Sequence, residues 1–246
     1  MPSTFLTAEW RKLIMAQYTV DPSTLSPWLP TGVELDLYRG RCYVSLVGFL
    51  FDEVRVKGIR IPFHTCFEEI NLRFYVRRTE ADGTQKRGVV FVREFVPKSA
   101  ITTIARRVYE EPYSTLPTRS SIETKPHRLN VRYDWRYRKV WHSLAAEAAA
   151  DAKPIAVGSE EEFITEHYWG YTKRKNGSTS AYQVEHPRWK VYPVIRCAIA
   201  ADFAALYGPA FALLNQQSPA SVLLAEGSAV AVYSGFRLPA LRPESS

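Results

Sequence analysis

The sequence has few of the residues that form disulfide bonds or bind metal ions in small proteins. Its 246 residues include three cysteines, Cys42, Cys66 and Cys197, which lie far apart and form no CxxC pair. An odd, scattered set argues against a disulfide framework and a structural zinc site, and favours a reducing compartment. HxH and HExxH patterns are also missing. We therefore expect a cytoplasmic protein with no metal and no cofactor.

Long apolar runs are missing as well. The most apolar stretch, residues 194–214, is interrupted by Arg196, Asp202 and Pro209, whereas a membrane-spanning helix needs about 20 mostly apolar residues. The first ten residues do not combine a basic segment with an apolar core, so we predict no secretory signal. The expectation is a protein without a membrane partner.

Aromatic residues and positive charge are plentiful instead. Aromatics make up 13% of the chain, and 32 Lys and Arg exceed 25 Asp and Glu by a net charge of +7. The first feature favours strands and a well-filled interior, and the second attracts anionic ligands. In residues 125–139 the basic and aromatic side chains alternate and so fall on opposite faces of a strand. Stacking on nucleic acid needs both on one face, so we expect no nucleic-acid partner.

Apolar residues recur with period two, which predicts a mainly β chain with few helices. The predicted strands are residues 41–51, 70–77, 88–96, 131–138, 163–172, 181–189, 221–225 and 229–236. Asp82-Gly83 and Asn176-Gly177 predict hairpin turns. Helices are predicted over residues 21–28 and 97–110, and the run 144–152 fits either a helix or a connection between strands. We interpret residues 1–246 as one domain, with a flexible tail from 238 to 246.

Several segments resemble a known family. They are residues 11–51, residues 61–78 (IPFHTCFEEINLRFYVRR), residues 88–113 (GVVFVREFVPKSAITTIARRVYEEPY) and the hairpin FITEHYWGYT…YQVEHPRW. In order and over about residues 5–238, they resemble the DUF2071 (YqjF-like) family of the acetoacetate-decarboxylase-like superfamily. The resemblance implies a single antiparallel β-barrel or cone that encloses a ligand cavity, with a few short helices.

VREFVPKS is similar to the strand of acetoacetate decarboxylase that leads into a proline and two lysines. By position, Lys98 matches the lysine that forms a Schiff base with the substrate ketone. Ser99 stands where the enzyme has its second lysine, Ala8 lies near the position of its arginine, and residues 56–63 contain no clear counterpart of its glutamate. Arg93 could be the cationic neighbour that lowers the pKa of Lys98. The alternative is an exposed lysine at a turn.

The predicted hairpin over residues 163–189 contains two Glu-His dipeptides. If Asn176-Gly177 forms a two-residue loop, His167 lies opposite His186, about 5 Å apart at Cβ, and the two imidazoles can share a ligand or a proton. The other predicted binding residues of this hairpin are Glu166, Tyr168, Tyr171, Glu185 and Trp189. We predict that it forms a pocket wall in which both histidines have acid–base roles, and that it contributes more to recognition than Lys98. The alternative is a cross-strand ladder that only stabilises the sheet.

A third cluster contains Glu69, Asn71 and Arg73. If the strand turns this face inward, Arg73 can bind a carboxylate with two parallel hydrogen bonds. If it faces solvent, the cluster has no functional meaning.

Together these features predict an enzyme of decarboxylase, lyase or hydratase type, acting on a small keto or carboxylic compound. The alternative is a non-catalytic protein that binds or carries an anionic or carbonyl-containing metabolite. An open sheet edge could also pair with a second copy and give a homo-oligomer.

Overall fold

The computed structural model describes residues 3–62, 65–99 and 111–238, which fold into two β-sheets with a few short helices. In the described residues the larger sheet has thirteen strands. These are β1 (Thr4–Thr19), β2 (Glu34–Leu35), β3 (Tyr43–Val56), β4 (Ile59–Arg60), β5 (Phe67–Thr79), β6 (Gln85–Val96), β7 (Tyr113–Thr115), β11 (Lys153–Pro154), β12 (Trp169–Lys173), β13 (Thr179–Glu185), β14 (Lys190–Tyr192), β16 (Ser221–Tyr233) and β17 (Phe236–Arg237). The smaller sheet contains β8 (Thr118–Lys125), β9 (Arg128–Tyr137), β10 (Val140–Ala149) and β15 (Val194–Ala200).

Seven strands of the larger sheet pair in the order β16-β1-β3-β5-β6-β12-β13. β13 then pairs with β16 through Val184 with Val232 and Glu185 with Ala231, so the pairing returns to its first strand. The expectation of an antiparallel sheet holds except at β6, which pairs in parallel with β7 and β12. The expectation of one sheet is wrong, because β8, β9, β10 and β15 form a separate sheet.

The two sheets share one hydrophobic core. Leu46 and Leu72 of the larger sheet and Tyr133 and Leu144 of the smaller sheet are fully buried in the same cluster. The sheets approach closely at Gly48 on β3, where a Cβ atom would lie 2.9 Å from Cδ2 of Tyr133. A side chain at that position would force the sheets apart, so glycine is required for the approach rather than for backbone freedom.

Three short helices are described: α1 (Pro22–Leu25), α2 (Glu160–Thr165) and α3 (Phe203–Tyr207). Turns of 3-10 helix follow α1 at Ser26–Trp28 and α3 at Pro209–Gln216. The helical prediction for residues 21–28 is confirmed, with Asp21 accepting a hydrogen bond from the Ser23 backbone N–H at 2.8 Å. Within the described ranges, no helix has the length and apolar character needed to cross a membrane.

The strand predicted from residue 163 is wrong at its start. Residues 160–165 form α2, because Ser159 caps it and three glutamates fill its first turn, which suits a helix N-terminus. Residues 144–149 belong to strand β10, and the two strands predicted between residues 221 and 236 are mostly one strand, β16. Most of the predicted helix 97–110 and of the predicted tail after Leu238 lies outside the described residues.

Candidate functional site

A cavity of about 140 Å³ lies inside the ring of seven strands. Its wall is mostly apolar and aromatic, with Trp10 from β1, Phe49 and Phe51 from β3, and Phe91 from β6 among its members. An apolar cavity with a few convergent polar groups is the usual form of a small-molecule site.

Strand β5 brings three polar side chains into this cavity. Glu69, Asn71 and Arg73 alternate along the strand and therefore share one face, and all three line the cavity rather than facing solvent. Asn71 donates a hydrogen bond from Nδ2 to Oε1 of Glu69 at 2.9 Å. The Tyr113 hydroxyl donates to the other carboxylate oxygen, Oε2, at 3.0 Å.

Two more glutamates line the same cavity. Glu94 on β6 stands directly across from Asn71, and Glu111 lies just before β7. The Tyr182 hydroxyl donates to Oε1 of Glu111 at 2.6 Å. Tyr182 reaches this position because its ring lies over Gly170, where a Cβ atom would be 2.2 Å from its Cζ. A larger residue at Gly170 would displace the donor of Glu111.

Burial favours the protonated form of these acids. It raises the pKa of Glu69 to about 7, although the hydrogen bonds from Asn71 and Tyr113 act in the opposite direction and lower it. It raises the pKa of Glu111 to about 8. For Glu94, burial and then the charges of Glu111 and Glu69 raise the pKa well above its ordinary value. At neutral pH Glu94 and Glu111 are therefore mainly neutral carboxylic acids that can donate protons, whereas Glu69 is present in both forms.

The Arg73 guanidinium has weak partners in this surrounding. Its Nη2 lies 3.5 Å from the Met15 sulfur, and its carbon atom Cζ lies 5.9 Å from the centre of the Tyr75 ring. The Nε atom is buried without a hydrogen-bond partner, and no carboxylate of the described residues lies within ion-pair distance. Arg73 is therefore a half-buried cation in the cavity wall, and the described residues provide no anion within ion-pair distance of it.

Unpaired buried polar atoms concentrate at this cavity. Five of them belong to residues of its wall: Trp10 Nε1, Asn71 Oδ1, Arg73 Nε, Glu94 Oε2 and His167 Nδ1. A buried polar group without a partner costs about 1–3 kcal/mol. Among the described residues, five of the nine unpaired buried side-chain atoms thus belong to the wall of this one cavity.

The hairpin β12–β13 separates the two histidines that the sequence predicts to face each other. Its loop has three residues, because the Arg174 N–H donates to the Ser178 carbonyl at 2.9 Å and Gly177 takes a φ of 81°. Tyr171 consequently pairs with Ala181. The predicted register is thus wrong by one residue, and such a shift moves side chains to the opposite face.

His167 and His186 therefore lie at different sites. His167 lines the interior cavity, whereas His186 borders a shallower groove together with Glu185, Glu9 and Arg55. The His186 ring stacks on Trp189 at 4.3 Å between centroids, and its Nδ1 lies 3.0 Å from the Pro187 carbonyl oxygen. Burial lowers the pKa of both imidazoles.

The other predicted residues of the hairpin lie outside the interior cavity. Tyr168 lies 4.8 Å from the His186 ring and donates its hydroxyl hydrogen bond to Glu166. Glu185 accepts one from Tyr233. Tyr171 is buried in the core between the sheets, and its hydroxyl donates to the Lys86 carbonyl at 3.2 Å.

Lys98 and Arg93 do not belong to the described wall of the cavity either. Lys98 is half-buried directly after β6. Arg93 donates from Nη1 to the Leu206 carbonyl at 2.7 Å, on the side of the smaller sheet. The structure thus brings together Glu69, Asn71, Arg73 and His167 from the predicted set, without Lys98, Arg93 or His186.

Sequence reasoning missed Glu94, Glu111, Tyr113 and Tyr182 as residues of the site. Glu94 was hidden by a β-bulge at Val92, where Leu72 pairs with Arg93 but Arg73 pairs with Phe91. The bulge reverses the alternation of β6, so that Glu94 shares the cavity face with Phe91. A glutamate within the apolar run VVFVREFV was the available signal. In the described part of the chain, no cluster of three or more His, Cys, Asp or Glu could hold a metal ion.

Comparisons with known proteins agree with this architecture. The sequence model of the DUF2071 family, described as an uncharacterized conserved protein, matches residues 7–229. The uncharacterized protein YqjF of Bacillus subtilis is 25% identical over 173 residues, which are 68% of this chain and 67% of YqjF.

Similar solved structures are acetoacetate decarboxylases and related enzymes. Acetoacetate decarboxylase of Legionella pneumophila has a TM-score of 0.64 at 12% identity, covering 97% of this chain and 88% of that one. An acetoacetate decarboxylase-like enzyme of Sphingomonas wittichii gives 0.66 at 11% identity, covering 97% and 95%. The enduracididine biosynthesis enzyme MppR, in complex with pyruvate, gives 0.63 at 11% identity, covering 98% and 93%. At these identities the likeness concerns the fold.

Proposed function

The chain belongs to the DUF2071 family, and we propose that its interior cavity binds a small carboxylate-bearing compound and acts on it by acid–base chemistry of the lyase or hydratase kind. The observation that carries the proposal is the set of five unpaired buried polar atoms around one apolar cavity. A carboxylate or carbonyl oxygen accepts from the unpaired donors Trp10 Nε1 and Arg73 Nε, and a hydroxyl group can donate to an unpaired acceptor such as Asn71 Oδ1.

Arg73 is the proposed anchor for the carboxylate. A guanidinium binds a carboxylate with two parallel charge-assisted hydrogen bonds, and its Nε is one of the donors without a partner. Glu94 and Glu111 are largely protonated at neutral pH and so oppose an anion little. The net charge of +7 adds a general attraction for anions.

Glu111 and Glu69 are the proposed proton donor and acceptor. A general acid works best with a pKa near the operating pH, and Glu111, with a pKa of about 8, holds its proton at neutral pH. Glu69, with a pKa of about 7, can accept a proton as readily as it donates one. We further propose that the ring of seven strands acts as a closed β-barrel or cone, which keeps water away from this chemistry.

The similar structures support the proposal that the ligand is a small carboxylate. MppR forms a complex with pyruvate, which is a small keto acid, and other similar structures are acetoacetate decarboxylases. We carry over the class of small carboxylates with a carbonyl or hydroxyl group, without any one substrate.

Binding is tested by thermal shift with pyruvate, acetoacetate and related acids, each beside its uncharged amide. A ligand at 100 times its Kd stabilises the fold by about 2.7 kcal/mol, which raises Tm by roughly 5–10 °C for a chain of this size. We expect Arg73→Met to lose the response to acids, and Arg136→Met, at an exposed position on β9, to keep it. If the acids bind no better than their amides, or Arg73→Met binds them like the wild type, the proposal is wrong.

Turnover separates the enzyme from the alternative, a binding or carrier protein. Compounds that bind are incubated with the protein and followed by proton NMR. We expect consumption by the wild type and binding without consumption by Glu111→Gln, which keeps an acceptor for Tyr182 but has no proton to give. If no bound compound is converted, the carrier alternative holds.

A Schiff base at Lys98 stays a separate prediction. Borohydride trapping in the presence of a keto acid, followed by peptide mass spectrometry, tests it directly, because reduction fixes the adduct on the lysine. Labelling of Lys98 would assign the chemistry to covalent catalysis, and its absence across a panel of ketones leaves the acid–base route through Glu111.

A further inference from the structure

His167 is a polar residue of the cavity wall, and its surroundings define both the charge and the tautomer of its imidazole ring. Its side chain is 1% exposed and lines the cavity, and its ring packs between Tyr75 and Phe163 at 4.8 and 5.1 Å between centroids. The ring is therefore held in one position.

A contact with the buried Asp36 carboxylate fixes which nitrogen carries the proton. His167 Nε2 lies 3.2 Å from Oδ2 of Asp36, and the same oxygen accepts a hydrogen bond from Arg87 Nε at 2.7 Å. Burial alone would raise the pKa of Asp36, but the hydrogen bonds from His167 and Arg87 outweigh it and hold the pKa below the ordinary value. An ionised carboxylate only accepts hydrogen bonds, so Nε2 must donate.

The other ring nitrogen is then a bare acceptor. Burial lowers the pKa of His167 to about 4, so the imidazole is neutral at physiological pH. With the proton on Nε2, Nδ1 has a lone pair, and it is buried without a partner among the described residues. An unmet buried acceptor selects for a ligand that brings a donor, because a ligand without one leaves the acceptor unpaired.

We propose that His167 Nδ1 is a specificity-determining acceptor, so that the compound bound in this cavity carries a hydroxyl or N–H group in addition to its carboxylate. This inference rests on the proposed function, which provides the carboxylate site at Arg73. It narrows the ligand class from small carboxylates with a carbonyl or hydroxyl group to those that carry a hydroxyl or N–H donor, which are hydroxy- or amino-carboxylates. Asp36 and Arg87 are positioning residues, since they act on the ligand only through the tautomer of His167.

The tautomer is tested without any ligand. In protein labelled with ¹⁵N-histidine, long-range proton–nitrogen spectra distinguish protonated from bare ring nitrogens. We expect His167, assigned by its loss in His167→Phe, to have a protonated Nε2 and a bare Nδ1 at all pH values above about 5. A protonated Nδ1 in this range overturns the inference.

The specificity is tested with matched ligand pairs. Calorimetry compares lactate with propionate and 3-hydroxybutyrate with butyrate, pairs that differ by one hydroxyl group. We expect the wild type to bind a hydroxy acid roughly tenfold or more tightly than its partner. His167→Phe should reduce this ratio to about one, while His142→Gln, which changes a buried histidine outside the described cavity wall, should keep it.

The outcomes separate the two proposals. If the wild type binds no carboxylate, the proposed function fails first, and this inference fails with it. If carboxylates bind through Arg73 but each pair is bound equally well, only the role of His167 is overturned. If His167→Phe does not fold, the comparison of each hydroxy acid with its partner in the wild type still tests the role of His167.

Discussion

At the scale of single residues, the buried acids couple the stability of the fold to pH. Glu69 and Glu111 keep their protons up to about pH 7 and 8 in the folded chain, whereas an ordinary glutamate titrates near 4.5. Between these values the folded chain binds more protons than the unfolded chain, so the free energy of unfolding falls as pH rises from about 4.5 to about 8. His167 has the opposite sign: its pKa of about 4 makes stability fall as pH drops from about 6.5 towards 4.

The substitution Glu111→Gln removes the contribution of Glu111 to the pH dependence of stability. The amide keeps an oxygen that accepts from Tyr182 but does not titrate, so we expect Tm to fall less between pH 5 and pH 8.5 than in the wild type. Calorimetry at several pH values measures the slope. Glu123→Gln, at an exposed position on β8, serves as the control and should follow the wild-type curve. Parallel curves for Glu111→Gln and the wild type would contradict the assigned pKa.

At the scale of elements, the hairpin β12–β13 depends on one glycine. Gly177 has a φ of 81°, in the left-handed region that costs other L-residues about 1–2 kcal/mol. We expect Gly177→Ala to destabilise the chain by about 1 kcal/mol in urea unfolding. Gly177→Asn should cost less, because asparagine tolerates this conformation. Equal losses for both variants, or none, would show that the turn is not what fixes the register.

The same hairpin marks how far sequence reasoning reaches. Asn176-Gly177 correctly predicts a turn, yet it suits both a two-residue loop and a three-residue loop with glycine in the left-handed position. One residue decides whether His167 and His186 lie opposite each other. The bulge at Val92 has the same effect on Glu94. By contrast, β5 has no bulge between Glu69 and Leu72, and the alternation of Glu69 and Asn71 could be read directly.

At the scale of the whole molecule, long strands were predicted better than their arrangement. Strands β5 and β9 follow from the alternation of apolar residues, and β3 follows from its largely apolar run. The division into two sheets could not be predicted, since both use the same pattern and only contacts between distant residues separate them. Position 48 illustrates this, because glycine is required there by the contact with Tyr133, which lies 85 positions further along the chain.

This contact predicts how the chain unfolds. Because the two sheets share one core, neither can lose its partner without exposing apolar surface, so we expect residues 1–246 to unfold as one domain, in a single calorimetric transition. Gly48→Ala would press a methyl group against Tyr133, which costs about 1–3 kcal/mol. The whole transition should then move down by roughly 2–12 °C. Ser121→Ala on the exposed strand β8 should leave it unchanged. Two transitions, of which Gly48→Ala moves only one, would instead mean that the sheets fold as separate units.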